Sequence, residues 1–472
     1  MAAERAWLRP ALALVGAVTL LRVALLALNR TDLFVDEAQY WLWAQEPAFG
    51  YYSKPPMIAW VIGIFTAACG DSPFCIRLPA PLFNGATALI LGAVAARLGG
   101  HAVLVAGAWV TLPMVAVASL LISTDTILFA FLALALWAYV ACLQGKGAGV
   151  ALSGGLALGL GFLSKYAAVY LLLCAVLAAP LRPRLSRRQA LGFLLGFAVA
   201  AAPNVIWNLM NGLATVEHTL DNADWLRDPA ARAGLNLAGL AEFFAAQFAV
   251  FGPVLFAALL WLGATWRRRD AVQRRWLLFS LPILALVCGQ ALLSRAYANW
   301  AAVAYLAGTL LVVAWLPRRA LAVSFAINGA LCLALPVATV FADRLAVNGQ
   351  PLLARYLGRA DRSVAILTAA QRAGLTTVVS GDRDILADLF YTGRASGVTF
   401  RALPPTGRAP HHYALRYPYE GGVAPVLLVL PDGQAPPCAA AELLSVDAPE
   451  SGAYRGKPVA FWQVPGDCLG PG

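Results

Sequence analysis

Two adjacent carboxylates stand in the stretch Asp32-Leu33-Phe34-Val35-Asp36-Glu37-Ala38-Gln39-Tyr40-Trp41, just after an apolar run and at the start of an aromatic one. A carboxylate at the mouth of a lipid-facing cavity loses part of its hydration. That raises its affinity for a proton and suits it to general-base work. The same pair also suits a solvated turn with an N-cap aspartate. Three cations recur near the ends of apolar runs. They are Lys54 in Tyr51-Tyr52-Ser53-Lys54-Pro55-Pro56, Lys165 in Leu163-Ser164-Lys165-Tyr166, and Arg295 in Leu293-Ser294-Arg295-Ala296. The prolines after Lys54 fix the backbone and hold its ammonium in one place. Fixed cations stabilise the charge that develops on a departing phosphate, although each alone also suits an interfacial anchor. A base together with phosphate-binding cations is the equipment for group transfer from a phosphate-linked donor.

Further polar residues suit the same cavity. Asp125, in Ser123-Thr124-Asp125-Thr126, either caps a helix or lines the cavity. Tyr51, Tyr52, Asn204 and His218 are candidate cavity or acceptor contacts, with Glu217, Asp221 and Asp224 near His218 in sequence. The aromatic set Tyr40, Trp41, Trp43, Tyr51 and Tyr52 offers stacking faces for a sugar ring, or forms an interfacial belt.

The elements that must position these residues follow from composition. Of 472 residues, 60% are hydrophobic and 12% charged, half the roughly 25% charge of soluble domains. Mean hydropathy is +0.70. A soluble enzyme, a disordered chain and a disulfide-dense secreted module are excluded, and an α-helical polytopic membrane protein is expected. About eleven apolar stretches suit transmembrane helices: 11–28, 77–97, 102–121, 125–143, 148–164, 166–181, 189–208, 244–265, 276–293, 299–316 and 320–341. The apolar segment 56–69 is short and reads as a surface helix. Spans without interior Asp or Glu argue against ion-coupled transport.

Charge sets the expected orientation. With the N-terminus cytoplasmic, the inner loops hold fifteen Lys/Arg against two acids, Glu4 and Asp270. The net charge of +11 is then a positive-inside signal, and nucleic acid is not an expected partner. The expected domains are 1–341, a membrane domain with outer loops 29–76 and 209–243, and 342–472, a small periplasmic α/β domain. Strands are expected at 376–380, 424–430 and 459–464, and helices at 363–373 and 383–391. Cys69 with Cys75, and Cys438 with Cys468, are disulfide candidates in an oxidising compartment, whereas Cys142, Cys174, Cys288 and Cys332 fall in spans. No His/Cys spacing resembles a metal site.

Taken in order, these motifs resemble the family 39 and family 83 glycosyltransferases, which use polyprenyl-phosphate sugars and have the GT-C fold. The matching stretches are Asp36-Glu37, Lys54-Pro55-Pro56, Arg77-Leu78-Pro79, Ser123-Thr124-Asp125, Ser164-Lys165-Tyr166 and Pro203-Asn204 with Trp207-Asn208. The resemblance covers residues 10–340 and implies an inverting glycosyltransferase in the bacterial inner membrane. Its donor would be a polyprenyl-phosphate sugar, and its acceptor a lipid, glycan or protein. Asp36 would be the base and Glu37 would orient it or the acceptor. Lys54, Lys165 and Arg295 would bind the donor phosphate. No cofactor is required, though a divalent ion could bridge phosphate and carboxylate. Ala38-Gln39 stands where the lipid A enzymes often carry Arg or Lys after the acidic pair. A ligase or polymerase using a diphosphate donor, and a non-catalytic lipid carrier, are the alternatives.

Overall fold

The computed structural model describes residues 6–222 and 235–469. By their contacts the residues fall into two units. The first comprises Met1–Ala27, Pro47–Ala68 and Arg77–Val337; the second comprises Leu28–Glu46, Cys69–Ile76 and Ala338–Gly472. The hydrophilic segment after the first apolar helix is therefore shared between the units.

The first unit is helical. Among the described residues, six helices are long and apolar enough to cross a bilayer: Leu8–Ala27, Pro73–Arg97, Thr124–Leu143, Arg187–Met210, Ala271–Leu293 and Arg318–Val340. The stretch 244–265, expected as one span, is instead two helices, Leu237–Val250 and Pro253–Ala264, bent by 117°. Gly252 at the bend has φ +88°, a conformation glycine adopts readily, and Pro253 has no N–H to carry the first helix onward. Counted as one span, the pair makes seven. The apolar helices Ala102–Thr111, Ala148–Ser164, Tyr166–Ala178 and Ala304–Trp315 occupy the remaining expected stretches but are shorter, as is Met57–Cys69.

Close helix packing in this unit depends on small residues. A Cβ added to Gly155 would collide with the carbonyl of Phe193, and one added to Gly196 with the carbonyl of Leu152. Helices Ala148–Ser164 and Arg187–Met210 thus pack backbone to backbone, as small residues allow where lipid supplies no hydrophobic drive between helices. Arg22, within the first helix and 1% exposed, donates to the Val110 carbonyl at 2.7 Å and to Ser119 Oγ at 3.1 Å. The buried guanidinium thereby satisfies backbone and hydroxyl acceptors that lipid could not.

The second unit is built on a five-stranded sheet: β1 (Thr377–Ser380), β2 (Thr399–Ala402), β3 (Val426–Pro431), β4 (Glu442–Asp447) and β5 (Val459–Val464), in the order β2-β1-β3-β5-β4. β1 is parallel to both β2 and β3, while β5 is antiparallel to β3 and β4. The connection from β1 runs through helix Arg383–Thr392 to β2 on one side, and the chain then returns to β3 on the other. The strand order therefore changes direction at β1. Val378, Leu427, Val429 and Phe461 form the core with Ile385 and Leu389 of helix Arg383–Thr392 and Ile366 of helix Arg359–Arg372. Cys69 is joined to Cys75 and Cys438 to Cys468, with Cα–Cα separations of 5.9 and 6.1 Å.

Candidate active site

Asp36 and Glu37 open helix Val35–Gln45 in the second unit, and they do different things. Glu37 is 1% exposed and its Oε2 accepts the Phe34 N–H at 2.9 Å, so it satisfies a helix-end donor. Asp36 is not the N-cap, which is Phe34. Its side chain is 44% exposed and its Oδ1 accepts from Arg383 Nη2 at 2.6 Å. Arg383 also donates from Nε to Gln39 Oε1 at 3.0 Å. Asp36 and Gln39 lie three residues apart on one helix face, and a single guanidinium meets both. Arg383 begins the helix that follows β1, and Asp382 before it caps that helix through the N–H groups of Asp384 and Ile385.

The rest of this unit braces that contact. Trp41 donates from Nε1 to Asp71 at 2.7 Å and meets the ring of Tyr391 edge-on at 5.1 Å. Trp43 meets His412 edge-on at 5.5 Å. Burial pushes the His412 imidazole down to about 3. His411 caps helix His412–Arg416 by accepting the Ala414 N–H on Nδ1. Behind them, Arg359 Nη1 pairs with Asp388 at 3.2 Å and Tyr454 donates to the same carboxylate at 2.6 Å. Burial pushes Asp388 up to about 7, outweighing the pull of Arg359. Asp32 accepts the backbone N–H of Arg359 at 2.8 Å, and burial raises its carboxyl above the usual range. A cleft of about 260 Å³ opens here, lined by residues that include Asp32, Arg359, Asp388, Tyr391 and Arg394.

The other candidates belong to the first unit. Lys54 follows a loop held from several sides. Asn204 Nδ2 donates to the Phe49 carbonyl at 2.7 Å, Thr215 Oγ1 to the Tyr51 carbonyl at 2.6 Å, Trp60 Nε1 to the Ala48 carbonyl at 2.9 Å, and the Ala48 N–H to Tyr51 Oη at 3.0 Å. The ring of Tyr52 meets His218 at 5.0 Å. Gly50 lies so close to Trp207 that any Cβ would overlap the indole. Tyr51, Tyr52, Asn204 and His218 are thus brought to one loop. Tyr166 Oη donates to Asn204 Oδ1 at 2.9 Å and accepts from Asn208 at 3.1 Å.

Lys165 forms a different arrangement. Its ammonium donates to both oxygens of Asp125, at 2.8 and 2.9 Å, and Asn299 donates to Asp125 Oδ2 at 2.7 Å. Asp125 does not cap its helix: the N-cap is Ser123, and no side chain accepts there. Arg295 is exposed in the loop after helix Leu281–Leu293, where its carbonyl accepts from Gln290 Nε2 at 3.3 Å. Asp224 lies outside the described residues. Among the described residues, no group of three or more His, Cys, Asp or Glu could hold a metal ion. Arg383 and the bracing by Asp388 were not singled out in the sequence. The one signal was the Asp382 cap ahead of an amphipathic helix, which says nothing about a partner more than three hundred residues earlier in the chain.

Residues 53–207 match the dolichyl-phosphate-mannose-protein mannosyltransferase family. Over 479 aligned residues the chain is 40% identical to the lipid A galacturonosyltransferase RgtD of Rhizobium johnstonii, covering 98% of this chain and 99% of that protein. The chain belongs to this glycosyltransferase family. It is a multi-pass membrane glycosyltransferase that depends on a polyprenyl-phosphate sugar. The fold of the glycosyltransferase is that of ArnT from Cupriavidus metallidurans. The apo crystal structure of ArnT superposes with TM-score 0.66 at 14% identity, covering 98% of this chain and 99% of that one. The form bound to undecaprenyl phosphate gives 0.64 at 15%, covering 99% and 100%.

Proposed function

We propose that this glycosyltransferase moves a galacturonosyl unit from a polyprenyl-phosphate donor to lipid A, at the periplasmic face of a bacterial inner membrane. The observation that carries the reading is the 40% identity to a lipid A galacturonosyltransferase along nearly the whole of both chains. In the reaction, a hydroxyl or phosphate oxygen of lipid A gives its proton to Asp36 and attacks the anomeric carbon. The bond from that carbon to the donor phosphate breaks with inversion, and polyprenyl phosphate leaves with the electron pair. Asp36 is the candidate base because its carboxylate is exposed to an incoming acceptor and positioned by Arg383. With its side chain 44% exposed, this access, and not the lost hydration expected from the sequence, is what suits it. Lys54, on its braced loop, is the first candidate for the phosphate, with Lys165 and Arg295 as further cations. A divalent ion is not needed for this scheme. Eleven spans, a cytoplasmic N-terminus and a periplasmic second unit accord with the charge of the loops.

The test is reconstitution. Full-length protein in liposomes is given polyprenyl-phosphate galacturonate and lipid A, and products are read by mass spectrometry. The expected product is lipid A carrying one added galacturonosyl unit, formed at least about a hundredfold more slowly with Asp36→Asn. Transfer only from a diphosphate-linked donor, or undiminished transfer by the Asp36 variant, defeats the reading.

A further inference from the structure

We propose that Arg383 recognises the carboxylate of the donor sugar and so sets the preference for a uronosyl over an uncharged glycosyl donor. The inference rests on the galacturonosyl reading and assigns a residue of the second unit to it.

Three observations carry it. First, Arg383 touches Asp36 directly, at 2.6 Å. A base must reach the acceptor oxygen that attacks the anomeric carbon, so a group in contact with the base lies within about one sugar ring of that carbon. In a uronosyl unit, the carboxylate sits on the carbon joined to the ring oxygen, and the anomeric carbon is the other neighbour of that oxygen. The donor's own charge must therefore be accommodated close to Asp36. Two carboxylates so near each other repel unless a cation stands with them.

Second, the guanidinium has capacity left. Nη2 serves Asp36 and Nε serves Gln39, while Nη1 makes no hydrogen bond among the described residues. The side chain is 36% exposed, so a second carboxylate can approach it. The planar fork of arginine suits carboxylate recognition, and its charge is permanent.

Third, Arg383 stands at the position in the sheet where ligand contacts gather. It comes three residues after β1 ends, beyond the carboxyl edge of that strand, and β1 is where the strand order changes direction. In open sheets with parallel strands, ligands bind outside the carboxyl ends at such a switch point. The resulting chemistry is a shared cation. When the uronate engages Arg383, the guanidinium charge is divided between two carboxylates.

The experiment uses full-length protein in liposomes and two donors in competition, polyprenyl-phosphate galacturonate and its uncharged C6 carboxamide, with lipid A as acceptor. The readout is the ratio of kcat/KM values, in which any loss acting through Asp36 alone cancels. The wild-type ratio is expected to favour the carboxylate by about a hundredfold, and Arg383→Gln to bring it close to one. Arg383→Lys, which keeps the charge and loses the fork, is expected to retain roughly a tenth of the preference, and its ratio decides the question if Arg383→Gln does not accumulate. A wild-type ratio near one, or a variant that slows both donors equally, overturns the assignment while leaving the galacturonosyl reading intact. Absence of wild-type transfer from either donor instead defeats that reading, and this assignment with it.

Discussion

Asp36 and Asp125 occupy the same local position, the second residue of a helix, and each meets a cation from a distant part of the chain. Their surroundings differ. The Asp125 side chain is 9% exposed and is gripped at both oxygens by Lys165, with Asn299 adding a third contact. The Asp36 side chain is 44% exposed, and the arginine it meets has a donor group to spare. An enclosed carboxylate with its oxygens occupied holds helices together, because removing one partner leaves a charge without compensation. An exposed carboxylate that an incoming group can reach is able to accept a proton from it. Burial and the access left to an incoming group distinguish the two; residue type and position in the helix do not.

The comparison is broken most sharply by substituting the two aspartates. Asp36→Asn is expected to cut kcat by about 10²–10⁴-fold while thermal unfolding in detergent is unchanged. Asp125→Asn is expected to behave the opposite way, destabilising the chain by about 1–3 kcal/mol with kcat per folded molecule reduced far less. If Asp125→Asn abolishes turnover without a change in unfolding, Asp125 is part of the chemistry and the two aspartates do not divide as their burial implies.

Lys165 sharpens the point. Lys165 is held by both oxygens of Asp125, whereas Lys54 is placed by a braced loop and the two prolines that follow it. Lys54→Ala is therefore expected to raise the donor KM by about tenfold or more, and Lys165→Ala to raise it less while lowering the unfolding temperature. Equal KM effects with no loss of stability would put Lys165 back with the phosphate ligands.

The Lys54 loop can be tested without touching its charge. Gly50→Ala drives a methyl group into Trp207 and is expected to cost about 1–3 kcal/mol, with donor KM rising as the loop shifts. A variant with native stability and native KM would show that the loop tolerates displacement.

The smallest effect is a pH dependence in the second unit. Burial raises Asp388 to about 7 from an ordinary 3.8. Its contribution to stability is full below about pH 4 and is lost as pH rises to 7. Burial lowers His412 to about 3 from 6.5. Its contribution is full above about pH 6.5 and is lost as pH falls toward 3. Between about pH 4 and 6.5 the two oppose each other. Hydrogen exchange of strand Val426–Pro431 is expected to vary little with pH in the native protein. Protection should fall on acidification in Asp388→Asn and rise on acidification in His412→Phe. The slopes are the readout, since Asp388→Asn also removes one of the two carboxylates that meet the Arg359 guanidinium. Variants with parallel slopes would show that neither group titrates as its burial implies.

Much of the architecture was legible in the sequence because lipid imposes a simple rule: apolar runs must become helices to satisfy their own backbone. All eleven apolar stretches are helical, and the expected strands at 376–380, 424–430 and 459–464 appear as β1, β3 and β5. Helix length was not legible. Gly252-Pro253 and Leu112-Pro113 interrupt stretches that hydropathy reads as continuous, because averaging over a window conceals a single bend. Strands β2 and β4 were also missed. β4 is mostly exposed, with no buried face to impose an alternating pattern, and β2, Thr-Phe-Arg-Ala, is too short to show one.

For the site, the sequence determined the kinds of residue available: a carboxylate pair, a lysine stiffened by two prolines, and isolated cations at the ends of apolar runs. Such features are local, and local chemistry is written in consecutive residues. Tertiary structure alone decided which carboxylate is enclosed and which is open, and that Arg383 closes onto Asp36 and Gln39. Those outcomes depend on contacts between segments 40 to 347 residues apart. Such contacts are selected by the packing of whole helices and strands, and no short stretch of sequence records them.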